Sequence, residues 1–408
     1  MCAGTSYCKT YKSRGPEGEF VRALVHPRAT QPFSTWMADS IIARNQGHNV
    51  DSSGSPTVNY EHGEFQQALR AVYAATNNTK YSDYIKTGID TVVSSSGAIN
   101  SNYNQSKYSL DDLRIGPSFI KLYQSTGSSK YLTAAKTYRA HINGQPRNTK
   151  GGFSHRGSSY PYQMWLDGIY MAEPFYTLYA RDIENKNATA FSDIETQFKL
   201  LYANAFDGGT KLLKHGYFDR AAPSSVSVPV WADTTTGASP HVWDRAVGWY
   251  VMTLADLLTG TDALPTGTSA YNTLLAQFQQ LIPALVTNAD PTTGAWWLVM
   301  TAVGRSGNYI ESSGSAMMVY AMLKAVSSGL VSDPNNTIRT AAVKAYNWLA
   351  TNAVITNSDG TLNWDKTVVV GSLGSNGTFE YYIAQAINMN DLKGSAAFVL
   401  ASVEYEKL

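Results

Sequence analysis

From about residue 35 to its end, the chain keeps one rhythm. Apolar side chains recur at the i, i+3, i+4 spacing of a helix that faces a core. The stretches between are short and polar, in the usual range for connections. "GEFQQALRAVYAATN" shows the pattern, with apolar residues at Phe65, Ala68, Leu69, Val72 and Tyr73. Ser34 suits the N-cap of "STWMADSIIARN", Gly127 the C-cap of "SLDDLRIGPSFIKLYQSTG", and paired serines the start of "SSKYLTAAKTYRAHI". Further helices are predicted around Asp167 and near residues 189–206, 241–259, 270–287, 312–328, 337–354, 380–389 and 393–405. The helix around Asp167 takes Pro161 in its first turn and is kinked or ended by Pro174. Strand-like pieces are few, "KLLKHGYFD" and "AWWLVM" being the best.

That makes roughly a dozen helices, with no composition shift to mark a boundary and no solenoid repeat. The expected solution is a single all-α domain over residues 31–408, with antiparallel helix pairs closed into a ring. Its inner helices would be apolar almost all round, and loops at one end would form a pocket. Of the 408 residues, 43% are hydrophobic and 15% charged, enough for a large core. Residues 1–30 read instead as a polar tail, foreign or disordered, without the apolar core of a signal peptide.

Composition also narrows the function. A net charge of +1 lacks the basic excess of a nucleic-acid binder. No apolar run is long enough to span a membrane. The two cysteines, Cys2 and Cys8, sit in the tail, so neither a catalytic thiol nor a cysteine metal site is expected in the body. Nucleophile elbow, H-E-x-x-H, Walker loop and dinucleotide fingerprint are all absent. What remains is acid–base chemistry by carboxylates, with no metal and no organic cofactor. Five N-glycosylation triplets, at Asn77, Asn104, Asn187, Asn335 and Asn376, suit a secreted protein.

Five stretches carry candidate site residues. In "QMWLDGIYMAEPFY", Asp167 follows Trp165 in an almost wholly apolar helix. A carboxylate there is either a structural hydrogen-bonding group or an acid whose proton is retained by burial. "SLDDLRIG" holds Asp111 and Asp112, which point about a hundred degrees apart on a helix, so at most one faces a pocket. Both also suit the positive end of a helix dipole. "HVWDRAVGWY" sets His241, Trp243, Asp244, Arg245 and Trp249 close together, the aromatic-plus-guanidinium pairing that suits a uronate; an Asp244–Arg245 surface pair is the plainer reading. His155 and Arg156 lie in the Gly-rich "GGFSHRG", and His215 in "KLLKHGYFD". The 9 Trp and 26 Tyr suit sugar stacking and core packing alike.

Taken in order, "YPYQMWLDGIYMAEPFY", "HVWDRAVGWYVMTLADLL", "NYIESSGSAMMVYAMLKA" and "GTFEYYIAQAINMNDLKGSAAFVLASVE" resemble glycoside hydrolase family 105, the unsaturated rhamnogalacturonyl hydrolases. The resemblance runs from about residue 35 to the C-terminus. It implies an (α/α)6 barrel acting without a cofactor on a small oligosaccharide, as a monomer or weak homo-oligomer. It implies removal of a 4,5-unsaturated uronate by hydration of its vinyl ether, not attack at the anomeric carbon. Asp167 matches the family's general acid/base, with its pKa expected to be raised by the apolar surround. Asp111 looks like the second acid, and Asp112 ranks below it. His155, His215, Trp243, Arg245 and Trp249 match positions lining the sugar site, with Arg156 and Trp165 beside them. His215 and Arg245 are the expected partners of the substrate carboxylate, and Trp243 and Trp249 are expected to stack on the sugar or shape the pocket. The expected substrate is unsaturated galacturonyl-rhamnose from pectin lyases. Unsaturated glucuronyl substrates of ulvan, glycosaminoglycan or arabinogalactan origin stay open, as do an ordinary glycosidase acting on saturated sugars and a non-catalytic binding toroid.

Overall fold

The computed structural model describes residues 31–408. Both cysteines and the expected tail lie outside the described residues. The body is an (α/α)6 barrel of six helix hairpins. Helix α1 (Phe33–Ala43) pairs with α2 (Tyr60–Thr76), and α3 (Thr79–Val92) with α4 (Gly116–Thr126). Next in the chain come outer α5 (Ser129–Gly144) followed by inner α6 (Leu166–Leu178), and outer α7 (Ala188–Ala205) followed by inner α8 (Asp244–Leu258). Then α9 (Ser269–Asn288) pairs with α10 (Ser312–Ser327). Helix α11 (Thr337–Asn352) and α13 (Leu392–Tyr405) complete the ring, with the one-turn α12 (Phe379–Ile383) between them in the chain. The second member of each pair is the inner one. Inner helices touch in the cyclic order α2, α4 with its preceding 3-10 turn, α6, α8, α10, α13 and back to α2.

Burial explains which helix goes where. Helix α8 is buried along its whole length, and α13 is buried except at Tyr405. Outer helices such as α3 and α11 bury one stripe and leave the rest to water. Each outer-to-inner connection carries a tight turn closed by a short side chain. Asp51 Oδ1 accepts from Ser53 N, Ser94 Oγ from Ala98 N, and Asn148 Oδ1 from Lys150 N. Asp207 Oδ2 accepts from Thr210 N, Asp290 Oδ1 from Thr292 N, and Asp359 Oδ1 from Thr361 N. Because these connections share one end, all six inner helices run the same way and start at the same end.

Several elements differ from the sequence expectation. Helix α3 is additional to the expected set. Pro32, not Ser34, holds the N-cap position of α1; Ser34 lies inside and its backbone N–H donates to Glu406. The stretch from 109 to 127 splits into a 3-10 turn, Leu110–Ile115, and α4, because Pro117 has no N–H to continue an α ladder. Pro161 lies in a turn ahead of strand β1 (Gln163–Trp165), which pairs antiparallel with β2 (Gly216–Phe218); α6 starts only after it. Helix α6 continues past Pro174 into a π turn at Tyr179–Ile183. The segment 295–300 makes isolated bridges at Trp297 and Val299 and enters a 3-10 turn at Met300, and 380–389 is one helical turn followed by a strand at Ile387–Asn388. Asn77, Asn104, Asn335 and Asn376 are exposed, whereas Asn187 is half-buried and caps α7 by accepting from Ala190 N.

Candidate active site

Five inner helices bring a carboxylate to their first turn or cap, Glu61, Asp167, Asp244, Glu311 and Asp391, and the 3-10 turn ahead of α4 brings Asp111. The backbone N–H groups of these helix starts converge on one end of the barrel. Each helix carries roughly half a positive charge there, which favours anions.

Asp167 is the second residue of α6, delivered by the β1–β2 pair. His215, just ahead of β2, puts Nε2 3.0 Å from Asp167 Oδ2. The approach lacks hydrogen-bond alignment, so among the described residues both atoms are buried without a hydrogen-bond partner. His215 Nδ1 lies 2.7 Å from the Tyr382 hydroxyl, which fixes the ring, and Trp243 packs against the imidazole at 4.7 Å. The Asp167 side chain keeps 14% of its surface open while His215 has none, so an incoming molecule meets the acid before the base.

The expected rise in the Asp167 pKa is not what the surroundings give. Burial does push it up and is the largest single influence. The charge of His215 3.0 Å away and then that of His155 together outweigh burial, and the carboxyl sits below its usual value. The sequence could show the apolar neighbours along α6 but not two histidines arriving from other segments.

Asp111 faces the same space. Its Oδ2 receives Arg156 Nε at 3.1 Å and Nη2 at 2.5 Å, and His155 Nε2 is 3.5 Å from its Oδ1. His155 stacks on Trp165 at 4.4 Å, and Tyr160 also stacks on the indole at 4.6 Å. Arg156 stays 43% exposed. Asp112 turns away toward Tyr103 and Tyr138, and burial followed by the charge of Asp111 pushes its carboxyl up to about 7.

Arg245 and the two tryptophans are more deeply placed than the sequence suggested. Arg245 is buried, with Nη1 donating to Ser313 Oγ and Val368 O and Nη2 to Val369 O. Three of its five N–H donors are thus committed. Asp244 is no surface partner for it, being fully buried as well. Trp249 is buried flat against Tyr170, centroids 4.3 Å apart, and edge-on to half-buried Tyr60. It shapes the wall and does not offer a face to a sugar. Trp243 is likewise buried, beside His215 and Tyr382. His241 lies aside, 3.0 Å from Thr301 Oγ1. Tyr60, Tyr382 and Glu311 are site residues that sequence reasoning misses; nothing in their spacing marks them, because they reach the site from hairpins far apart in the chain.

A second aromatic group roofs one flank. Trp165, Phe218, Trp231 and Leu373 pack together, with Tyr160, Tyr162 and Val226 against them. Trp231 Nε1 donates to Leu373 O at 2.6 Å, tying the long 219–243 connection to the 370–377 loop. Among the described residues no group of three or more His, Cys, Asp or Glu is set to hold a metal ion.

Comparison with known proteins follows the same lines. A model described as Glycosyl Hydrolase Family 88 matches residues 33–408. A solved family 105 glycoside hydrolase of C. acetobutylicum ATCC 824 is 37% identical, with a TM-score of 0.83 over 93% of this chain and 100% of that one. The 24.9 kDa protein in the picA locus of Rhizobium radiobacter is 30% identical over 219 residues, 52% of this chain and 89% of that protein. An unsaturated glucuronyl hydrolase of Bacillus sp. GL1, responsible for glycosaminoglycan degradation, has the same fold at 11% identity, with a TM-score of 0.62 over 92% of this chain and 95% of that one.

Proposed function

Because the chain belongs to glycoside hydrolase family 105, and so is a hydrolase of the unsaturated-glycoside type, we propose that it removes the 4,5-unsaturated galacturonate from galacturonyl-rhamnose fragments left by pectin lyases. Asp167 donates a proton to C4 of the vinyl ether. Positive charge develops at C5 and the ring oxygen, and water adds at C5 as the Asp167 carboxylate takes its proton back. The hemiketal so formed opens, and the C1–O bond to the neighbouring sugar is lost as an alcohol. Asp111, held by Arg156, orients the water and the ring hydroxyls.

The observation that carries this reading is the Asp167–His215 contact: two buried polar atoms, 3.0 Å apart and unaligned, at the partly open start of α6. Such atoms gain most from a substrate that supplies the missing hydrogen bonds. The converging helix starts and the two uncommitted donors of Arg245 suit the uronate carboxylate. A bound uronate next to Asp167 opposes its ionisation and returns the proton that the histidines draw off in the free enzyme. The apolar flank of Trp231, Leu373 and Val226 suits the methyl group of a 6-deoxy sugar next in line.

A second reading, an unsaturated glucuronyl hydrolase, is favoured by the exposed guanidinium of Arg156, which suits a sulfated or acidic aglycone. One assay separates them. Lyase digests of pectin, ulvan and hyaluronan are followed by loss of the ultraviolet absorbance of the conjugated double bond. The pectin digest should fade fastest, and Asp167→Asn should stop the fading while the protein stays folded. Wild-type turnover by that variant removes Asp167 from the acid role, and a faster ulvan or hyaluronan digest replaces galacturonyl-rhamnose as the substrate.

A further inference from the structure

Two acids next to Arg245 have no part in the chemistry above. Asp244 opens α8 and is fully buried, and among the described residues neither of its carboxyl oxygens has a hydrogen-bond partner. A Cβ built on Gly314 would lie 2.5 Å from Asp244 Oδ2, so the carboxyl rests against the first turn of α10. That turn is organised by Glu311, also fully buried. Glu311 Oε2 accepts from Gly314 N at 2.8 Å, Oε1 accepts from Val368 N at 3.0 Å, and both oxygens accept from Ser313 Oγ. Asp244 and Glu311 therefore meet at one glycine in a fully buried site. Two ionised carboxylates so placed repel strongly. The charged group able to offset them is Arg245, 3.8 Å from Glu311, which is one charge for two. Tyr309 also faces the pair but ordinarily stays neutral.

We infer that Asp244 stays protonated and donates to Glu311, and that this acid–carboxylate pair is the positioning device for Arg245. The inference rests on the reading of Arg245 as a uronate-binding group. The proton satisfies an otherwise unpartnered oxygen of Asp244. It leaves Glu311 as the one negative charge that matches Arg245. Glu311 then holds Val368 N, while the carbonyls of Val368 and Val369 hold Nη1 and Nη2 at 2.6 and 2.8 Å. Ser313 bridges the two, accepting from Nη1 at 3.1 Å and donating to Glu311. Burial and the neighbouring Glu311 charge both push the Asp244 carboxyl up, in the same sense.

The test has two arms. In the first, infrared spectra of the free wild-type protein and Asp244→Asn are subtracted at neutral pH. The difference should contain one carbonyl band of a protonated carboxylic acid, present in the wild type and lost in the variant. A lost carboxylate band instead overturns the proposal. In the second, Asp244→Asn, whose amide can still donate to Glu311, should keep kcat and KM within about twofold. Asp244→Leu fills the site without a donor and should raise KM about tenfold with a smaller change in kcat. Equal KM values in the two variants, or a fall confined to kcat, overturn the link to Arg245. The infrared arm uses no substrate, so its outcome holds even if no unsaturated uronide is turned over, a result that would sink the proposed reaction alone.

Discussion

Asp167 is subject to opposing influences. Burial favours its protonated form, and His215 with His155 favours the ionised one, with the histidines ahead in the free enzyme. An acid that must protonate carbon loses rate as pH rises through its pKa. Removing the partner that lowers the pKa raises it, so the protonated form survives to higher pH. His215→Asn should therefore move the alkaline limb of the kcat/KM profile upward by about one pH unit, the low end of what an adjacent opposite charge contributes. A limb that stays in place, or moves down, means that Asp167 is not the titrating acid or that His215 does not hold it. The residue types that the structure gathers here were legible in the sequence. The tuning was not, because His215 and Tyr382 reach Asp167 from segments tens of residues away.

Among elements, the helices with strong period are legible to within a few residues. Those that are not have local reasons. Helix α3 keeps helical spacing at its buried Tyr81, Ile85, Ile89 and Val92, but polar residues fill its other faces and it passes for a connection. Pro161 looks like a helix start because the β1 pairing that displaces the helix to Leu166 depends on a partner near residue 217. The turn motif shared by all six hairpins is hidden because its spacing is uneven, from 43 residues between Asp51 and Ser94 to 83 between Asp207 and Asp290. Inner helices also approach their neighbours more closely than hydrophobic pattern can reveal. A Cβ on Gly63 of α2 would lie 2.5 Å from the backbone oxygen of Arg114, and backbone cannot move aside as a side chain does. Gly63→Ala should cost about 1–3 kcal/mol. Gly208→Ala, in an outer loop with open space around its Cβ and no positive φ, should be near neutral or slightly stabilising. Denaturant melts of the two variants compare them directly, and equal midpoints would mean that α2 can shift as a rigid body.

At the scale of the molecule, a ring has a closing contact that a linear stack of hairpins lacks. Here the last inner helix meets the first. Lys393, in the first turn of α13, is buried and puts Nζ 2.9 Å from Glu61 on α2 and 2.8 Å from Asp391, its own helix cap. Asp391 is almost wholly buried, and burial pushes its carboxyl up despite the lysine; Glu61 is held below its usual value by Lys393. Lys393→Met keeps the length and apolar stem of the side chain but removes the one cation between two carboxylates. A buried charge stripped of its partner typically costs about 3–5 kcal/mol. Glu61 retains some access to water, so the lower end, about 3 kcal/mol, is expected here. The loss should shrink at acid pH, where protonated Glu61 and Asp391 no longer need the cation. It should also shrink in the double variant Glu61→Gln with Lys393→Met, which removes the unpaired charge on α2. Denaturant unfolding at neutral and mildly acid pH gives both comparisons. A Lys393→Met protein as stable as the wild type at neutral pH would show that the ring is closed by its apolar contacts alone.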